Sequence, residues 1–240
     1  MKAVFLAAGK GSRLGSITEE TPKSLLTICE GKETLLSFNL NNLYDIGIRD
    51  FVIITGFMYW KLEEYVTKWK QEKDVNVVFV HNPFWNHCNV LGSFYCSLDY
   101  INDDFLYLHA DTIVDKQVWN RLIDMKNDYV LAIDLKKCGE EEMKVITCND
   151  EVSDVSKAID LSITSGEFVG VAKFSKHTLP FFKETAISLF YEQGLFHYME
   201  EVLRTGISKR KIKVNWVDVS DLKTIEIDFI EDWEGANKLF

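Results

Sequence analysis

Along the first 135 residues, apolar runs of strand length alternate with segments of helical periodicity. Lys2 to Leu6 reads as a buried strand, and Leu35 to Ile46 as an amphipathic helix stopped by Gly47. Phe51 to Thr55 and Tyr59 to Trp69 repeat the strand–helix pair, and Val75 to Val80 and Phe94 to Ile101 repeat it again. Phe105 to His109, Val118 to Met125 and Tyr129 to Asp134 supply a fourth strand, a fourth helix and a fifth strand. This order predicts an α/β fold: a Rossmann-like, mostly parallel sheet with helices on both faces.

The pattern changes after residue 135. Met143 to Cys148 and Val152 to Lys157 read as short strands about an Asn149-Asp150 turn, a hairpin signal. Glu167 to Phe174 is a further strand, with helices expected over Thr178 to Tyr191 and Leu195 to Arg204. Strands from Lys211 to Val217 and Thr224 to Ile227 lead into a last helix over Phe229 to Leu239. No linker or repeat interrupts the chain. The expectation is one domain over 1–240, with halves 1–135 and 136–240, the second a small mixed β/α elaboration.

Composition narrows the function. A chain of 240 residues, 47% of them hydrophobic, buries a sizeable core without disulfides. Its five cysteines are odd in number and form no C-x-x-C pair, so reduced thiols are expected. The net charge of −10 argues against a nucleic-acid partner but not against a small anion held by local cations. No apolar run approaches the roughly 18 residues of a membrane span. The apolar run after Met1 is too short for a secretory signal, so a cytoplasmic location is expected.

The candidate chemistry starts where the first strand ends, in Leu6-Ala7-Ala8-Gly9-Lys10-Gly11-Ser12-Arg13-Leu14-Gly15 followed by Thr21-Pro22-Lys23. A glycine-rich loop there turns backbone N–H groups toward a phosphate, and Arg13 and Lys23 add cations for a polyphosphate. Gly15 falls one position late for a dinucleotide fingerprint, and Gly9-Lys10-Gly11 is not a P-loop. Asp111 follows the fourth strand, at the edge where open α/β sheets bind ligands. Asp228 ends the strand before the last helix. Each aspartate alone also reads as a turn or helix-cap residue; together they suit Mg²⁺, which takes one or two carboxylates plus phosphates and water. His109 reads as a core histidine at a strand end.

The spaced L-A-A-G-x-G-S-R-L and T-P-K motif resembles the signature of the sugar-phosphate-type nucleotidyltransferases, whose fold is that of the nucleotide-diphospho-sugar transferases. The resemblance implies that residues 1–135 bind nucleotide, through Leu6, Ala7, Ala8, Gly9, Gly11, Ser12, Arg13 and Lys23. It implies catalytic roles for Lys23 and Arg13, a Mg²⁺ cofactor on Asp111 and Asp228, and an acceptor-binding half in 136–240. Asn82, Asn89 and Ser93, at the spacing N-x6-N-x3-S, resemble the cytidylyltransferases for phosphocholine and 2-aminoethylphosphonate, as do the E-I-D ending with Asp232 and the strand Gly166 to Phe174. In that branch Asn89 and Ser93 lie near base and sugar, and Asn and Ser supply the donors and acceptors a base pocket needs.

The implied reaction is transfer of CMP from CTP to a small amine-bearing phosphate or phosphonate, with release of pyrophosphate. An ammonium favours acidic or aromatic walls, and Trp85, Glu167 and Glu226 are the candidates for the acceptor; Tyr95, Trp119, Tyr191 and Tyr198 are further available rings. The acceptor oxygen is already anionic, so no strong base is needed. Two alternatives stay open: a UTP- or dTTP-dependent sugar-1-phosphate enzyme, and a non-catalytic nucleotide-binding domain. A homodimer also stays open.

Overall fold

The computed structural model describes all residues 1–240. β1 (Lys2–Ala7) leads through the glycine-rich loop to the small ribbon β2 (Thr27–Ile28) and β3 (Glu33–Thr34), then to α1 (Leu35–Asp45). β4 (Asp50–Thr55), α2 (Tyr59–Trp69), β5 (Asn76–His81), α3 (Val90–Ser97) and β6 (Phe105–His109) follow. β7 (Thr112–Val114), α4 (Lys116–Asp124) and β8 (Tyr129–Asp134) come next. The later chain forms the hairpin β9 (Lys144–Cys148) and β10 (Glu151–Ser156), then β11 (Gly166–Phe174), α5 (Leu179–Gln193) and α6 (Glu200–Ser208). It closes with β12 (Asn215–Asp218), β13 (Thr224–Glu226) and α7 (Ile230–Leu239).

Nine strands form one sheet in the order β5-β4-β1-β6-β11-β8-β12-β10-β9. β5, β4, β1 and β6 are mutually parallel, as is the β8–β12 pair. β11 runs antiparallel between β6 and β8, and the β9–β10 hairpin closes the far edge. The mixed character expected of the second half is therefore concentrated at β11 and the hairpin.

Both faces of the sheet are buried at β1, β4, β6, β8 and β11, which is why these strands are largely apolar. Alternate residues of β1 separate to opposite sides. Ala3, Phe5 and Ala7 pack with Leu36, Leu40, Leu62, Val118 and Trp119 from α1, α2 and α4. Val4 packs on the other face with Phe94, Phe105, Tyr107, Phe182 and Leu203, drawn from α3, α5, α6 and their strands. A third, smaller core joins Leu14, Leu26, Ile28, Leu35, Ile113, Ile227 and Ala236. It clamps the last helix and the β7–β13 ribbon against the glycine-rich loop, and so fixes the C-terminal segment beside the end of β1.

Three boundaries differ from the sequence expectation in ways that bear on the site or the sheet. α3 begins at Val90 rather than Phe94, because Asn89 Oδ1 accepts the Val90 N–H at 2.8 Å and caps the helix. The stretch from Leu195 is not helical: Leu195 and His197 carbonyls accept the N–H groups of Asn89 and Leu91, at 3.1 and 3.0 Å, and α6 starts only at Glu200. The strand expected from Lys211 begins at Asn215. The five cysteines are all free thiols. No helix is long and apolar enough to cross a membrane.

Phe94 is fully buried and meets Tyr107 and Phe182 edge-on, with centroids 5.3 and 5.2 Å apart. Phe94→Ala is expected to lower unfolding free energy by about 3–5 kcal/mol, measured by urea denaturation. A loss below about 1 kcal/mol would show that this face repacks freely.

Candidate active site

The chain leaves β1 at Ala7 and turns through Gly9 and Gly11 into 3-10 turns over Ser12–Thr18. Gly11 has φ +67°, a left-handed conformation that costs other residues about 1–2 kcal/mol. A Cβ there would also lie 2.8 Å from Lys23 Cδ. Glycine at this position thus satisfies the turn and makes room for the lysine stem. The Thr18 hydroxyl donates to the Gly11 carbonyl at 2.9 Å and closes the loop.

Lys23 is 8% exposed. Its Nζ donates to Asp111 Oδ2 at 2.7 Å and to Asp228 Oδ1 at 2.9 Å. The backbone brings the two carboxylates together: β13 pairs antiparallel with β7, Glu226 stands opposite Thr112, and the Ile227 N–H donates to the Asp111 carbonyl at 3.1 Å. Burial works against the Lys23 ammonium, but Asp111 and Asp228 outweigh it and hold the group above the ordinary lysine range. Burial likewise works against ionised Asp111, and the Lys23 and His109 charges outweigh it, so its carboxyl sits below the usual range. Asp228 does not cap α7. That task falls to Asp232, whose Oδ2 accepts the N–H groups of Asp228 and Phe229 at 2.9 and 2.7 Å.

Arg13 completes the cationic side. Its Nη1 donates to Asp228 Oδ2 at 2.8 Å and its Nη2 to Glu141 Oε2 at 3.3 Å. The guanidinium carbon lies 5.7 Å from the centroid of the Phe229 ring.

These groups border a cavity of about 310 Å³. His109 lines it, so the reading of this residue as a core histidine does not hold. Its Nε2 is 3.0 Å from the Tyr107 hydroxyl and its Nδ1 3.9 Å from Glu226 Oε1. Burial pushes the imidazole down, but Glu226, Glu200 and Asp111 outweigh it and raise it to about 9. Gly170 faces this ring at a bulge in β11 with φ +77°; a Cβ there would lie 3.1 Å from His109 Nδ1. Ligand atoms of His109, Asp111 and Glu226 lie within 4.8 Å of one another. Asp111 and Asp228 already converge on one cation, Lys23, and their hard oxygen donors fit Mg²⁺.

Of the residues expected from sequence, Leu6, Ala7, Gly9, Gly11, Ser12, Arg13, Lys23, Asp111, Glu226 and Asp228 line this cavity together. Ala8 is buried, and its carbonyl accepts the Phe57 N–H at 2.9 Å. Asn82 and Ser93 come together, with Asn89 at the start of α3, and none of the three lines the cavity. Asn82 Nδ2 donates to Ser93 Oγ at 3.0 Å, Asn82 Oδ1 accepts the Phe84 N–H at 2.9 Å, and Asn89 caps α3; Val90 reaches the cavity instead. Trp85 packs on Phe57, centroids 5.3 Å apart. Glu167 binds Lys136 at 2.6 Å in a neighbouring cleft that shares Glu226 and Asp228 with the first. Sequence reasoning missed Met143, Lys157, Phe168 and Gly170 as wall residues. In the sequence Lys157 reads as the end of a strand; a lone cation after a hairpin is the available signal.

Known proteins resemble this chain in sequence and in fold. The family described as nucleotidyl transferase matches residues 2–142. A CTP:phosphoglutamine cytidylyltransferase of Campylobacter jejuni is 21% identical, over 95% of this chain and 98% of its own. A choline-phosphate cytidylyltransferase of Streptococcus pneumoniae is 26% identical, over 100% and 98%. The solved inositol-1-phosphate CTP transferase of T. maritima superposes with a TM-score of 0.81 at 22% identity, covering 96% of this chain and 90% of that one, and shows the shared fold.

Two outcomes are expected. Gly11→Ala should destabilise by about 1–3 kcal/mol. Gly9→Ala, where a Cβ meets nothing within 4 Å, should stay within about 0.5 kcal/mol; equal effects in urea titrations would refute the Lys23 packing. The depressed Asp111 carboxyl contributes stability above its unfolded pKa of about 3.9 and loses it as pH falls through the lower folded value. Wild type should therefore lose stability on acidification below about pH 4–5 more steeply than Asp111→Asn, and parallel curves would contradict the pairing.

Proposed function

The chain belongs to the nucleotidyl transferase family, and from that footing we propose that it transfers CMP from CTP to a small amine-bearing phosphate or phosphonate, such as 2-aminoethylphosphonate or phosphocholine. The observation that carries this reading is the Lys23 ammonium held between Asp111 and Asp228 at the mouth of a glycine-rich loop, in a cavity that continues to Met143, Phe168 and Tyr198. The choice of CTP and of the acceptor class rests on the two cytidylyltransferase relatives that span the chain nearly end to end.

In this reading residues 1–135 bind the nucleotide and 136–240 the acceptor. Leu6 to Ser12 cradle base and phosphates, while Asn82, Asn89 and Ser93 shape the turn that presents Val90. An acceptor oxygen attacks the α-phosphorus of CTP, a new P–O bond forms, and the bond to the β-phosphate oxygen breaks as pyrophosphate leaves. The nucleophile is already an anion, so no proton has to be removed. The task of the protein is to align two anions that repel each other. Lys23 and Arg13 are placed to offset the charge gathering on the α-phosphate and the leaving group. Asp111 and Asp228 would hold Mg²⁺, which when bound adds positive charge against the phosphate oxygens. Lys23 and Arg13 release those carboxylates as they turn to phosphate. Glu226 and Glu167 border the acceptor side, and Trp85 supports the loop from behind.

Pyrophosphate release tests the reading, with each of four NTPs against 2-aminoethylphosphonate, phosphocholine, phosphoethanolamine and glucose-1-phosphate. CTP with an amine-bearing acceptor should lead, and chelation of divalent cations should stop turnover. Turnover only with UTP or dTTP and the sugar phosphate would overturn it. Lys23→Ala should lower kcat by about 10²–10³ with acceptor KM little changed; an unchanged kcat would remove Lys23 from the reaction.

A further inference from the structure

His109, Asp111 and Glu226 meet on the wall of the cavity, each offering a ligand atom within 4.8 Å of the others. Solutes reach them: the side chains of His109 and Glu226 are 17% and 37% exposed. As an ion pair the arrangement is poor. His109 Nδ1 and Glu226 Oε1 stand 3.9 Å apart, too far for a hydrogen bond. A divalent ion with bonds of about 2.0–2.2 Å to each atom spans that gap. Asp111 has an oxygen to give as well, because Lys23 takes only Oδ2.

The surroundings prepare these groups for a ligand. A metal-binding imidazole usually donates its second ring N–H to a fixed partner, which leaves the other nitrogen its lone pair. The Tyr107 hydroxyl stands 3.0 Å from His109 Nε2, and Tyr107 is fully buried, so Nδ1 is the nitrogen left for an ion. Thr112 is 1% exposed, and its hydroxyl has no hydrogen-bond partner. It stands opposite Glu226 in the β7–β13 ribbon, which puts both side chains on one face. The Cβ that Gly170 lacks would lie 2.9 Å from Thr112 Oγ1 and 3.1 Å from His109 Nδ1. Both atoms therefore border one space, and the glycine keeps it open.

We propose that His109, Asp111 and Glu226, with the Thr112 hydroxyl beside them, form a second divalent-cation site, distinct from the Asp111 and Asp228 pair and joined to it through Asp111. One imidazole with two carboxylates selects a borderline first-row ion, Mn²⁺ through Zn²⁺, whereas all-oxygen donors suit Mg²⁺. The ion takes the lone pair of Nδ1, and a proton held there leaves to solvent. His109 and Glu226 share the cavity with Phe168 and Tyr198, so this ion gives the acceptor phosphate a positive contact of its own. The site goes beyond the proposed function and does not depend on which acceptor is used.

The test uses the full chain without nucleotide, with Mn²⁺ as the probe. Asp228→Asn disables the oxygen-ligated pair and should still bind one Mn²⁺. Pulsed EPR of that ion should show nitrogen modulation that changes when the histidines are isotopically labelled, and about a tenfold excess of Mg²⁺ should not remove it. In the same background His109→Asn should abolish the modulation, and Glu226→Gln should weaken Mn²⁺ binding by about a hundredfold. Thr112→Val should weaken it less. Glu226 is the most exposed of the three ligands, so its variant reports on the site even where His109→Asn fails to fold. Bound Mn²⁺ without nitrogen coupling would overturn the inference, as would binding unchanged by Glu226→Gln or lost entirely in Asp228→Asn. None of these outcomes bears on the proposed function, which pyrophosphate release decides separately.

Discussion

The Lys23 ammonium, shared between Asp111 and Asp228, is the interaction around which the site is assembled. The three residues lie 88 and 205 positions apart and enter from the loop after β1, the end of β6 and the end of β13. Two carboxylates at this spacing would repel if left alone, and a lysine this deeply buried would shed its proton. Together they are stable, because each charge is compensated where water is excluded. The arrangement also holds the site's cation and its anions at one point before any ligand arrives. Binding then becomes an exchange of partners rather than an assembly from solvent, which keeps reorganisation small.

The β7–β13 ribbon and the small core around Leu14, Ile113 and Ile227 make that triad possible. They fix the C-terminal segment at the mouth of a cleft built by the glycine-rich loop and the end of β6 on one side and by Met143, Lys157, Phe168 and Tyr198 on the other. Asp232, by capping α7, leaves the Asp228 carboxylate free for Lys23 and Arg13. The backbone bond from Ile227 to Asp111 carries the β7–β13 pairing one step further, to the aspartates themselves.

Much of this was legible before the structure. Strands β1, β4, β6 and β8 are continuous apolar runs because both sheet faces are covered, and the Gly11, Arg13, Lys23, Asp111 and Asp228 set follows from loop chemistry and strand ends. What was not legible depends on long-range pairing. β7 has three residues, too few to show a period, and exists only because β13 returns to it. Leu195 to His197 looked helical but gives its carbonyls to Asn89 and Leu91 instead. Asn82 and Ser93 have the polarity of ligand contacts yet satisfy each other. Glu200 was invisible for the opposite reason: an acidic side chain inside the helix expected from Leu195 to Arg204 carries no sign of burial, and only the fold reveals it as buried and without a hydrogen-bond partner.

The strand order has a consequence for how the protein comes into being. β8 lies between β11 and β12, both made later, so Tyr129 to Asp134 emerges from the ribosome with neither neighbour available. Synthesis has to reach Asp218 before the second partner is complete. At about 5–20 residues per second, that leaves an apolar Val130-Leu131-Ala132-Ile133 segment uncovered for seconds. The sheet therefore cannot be completed from the first half of the chain: β8 gains β11 first and β12 only about forty residues later, so its closure is ordered by synthesis.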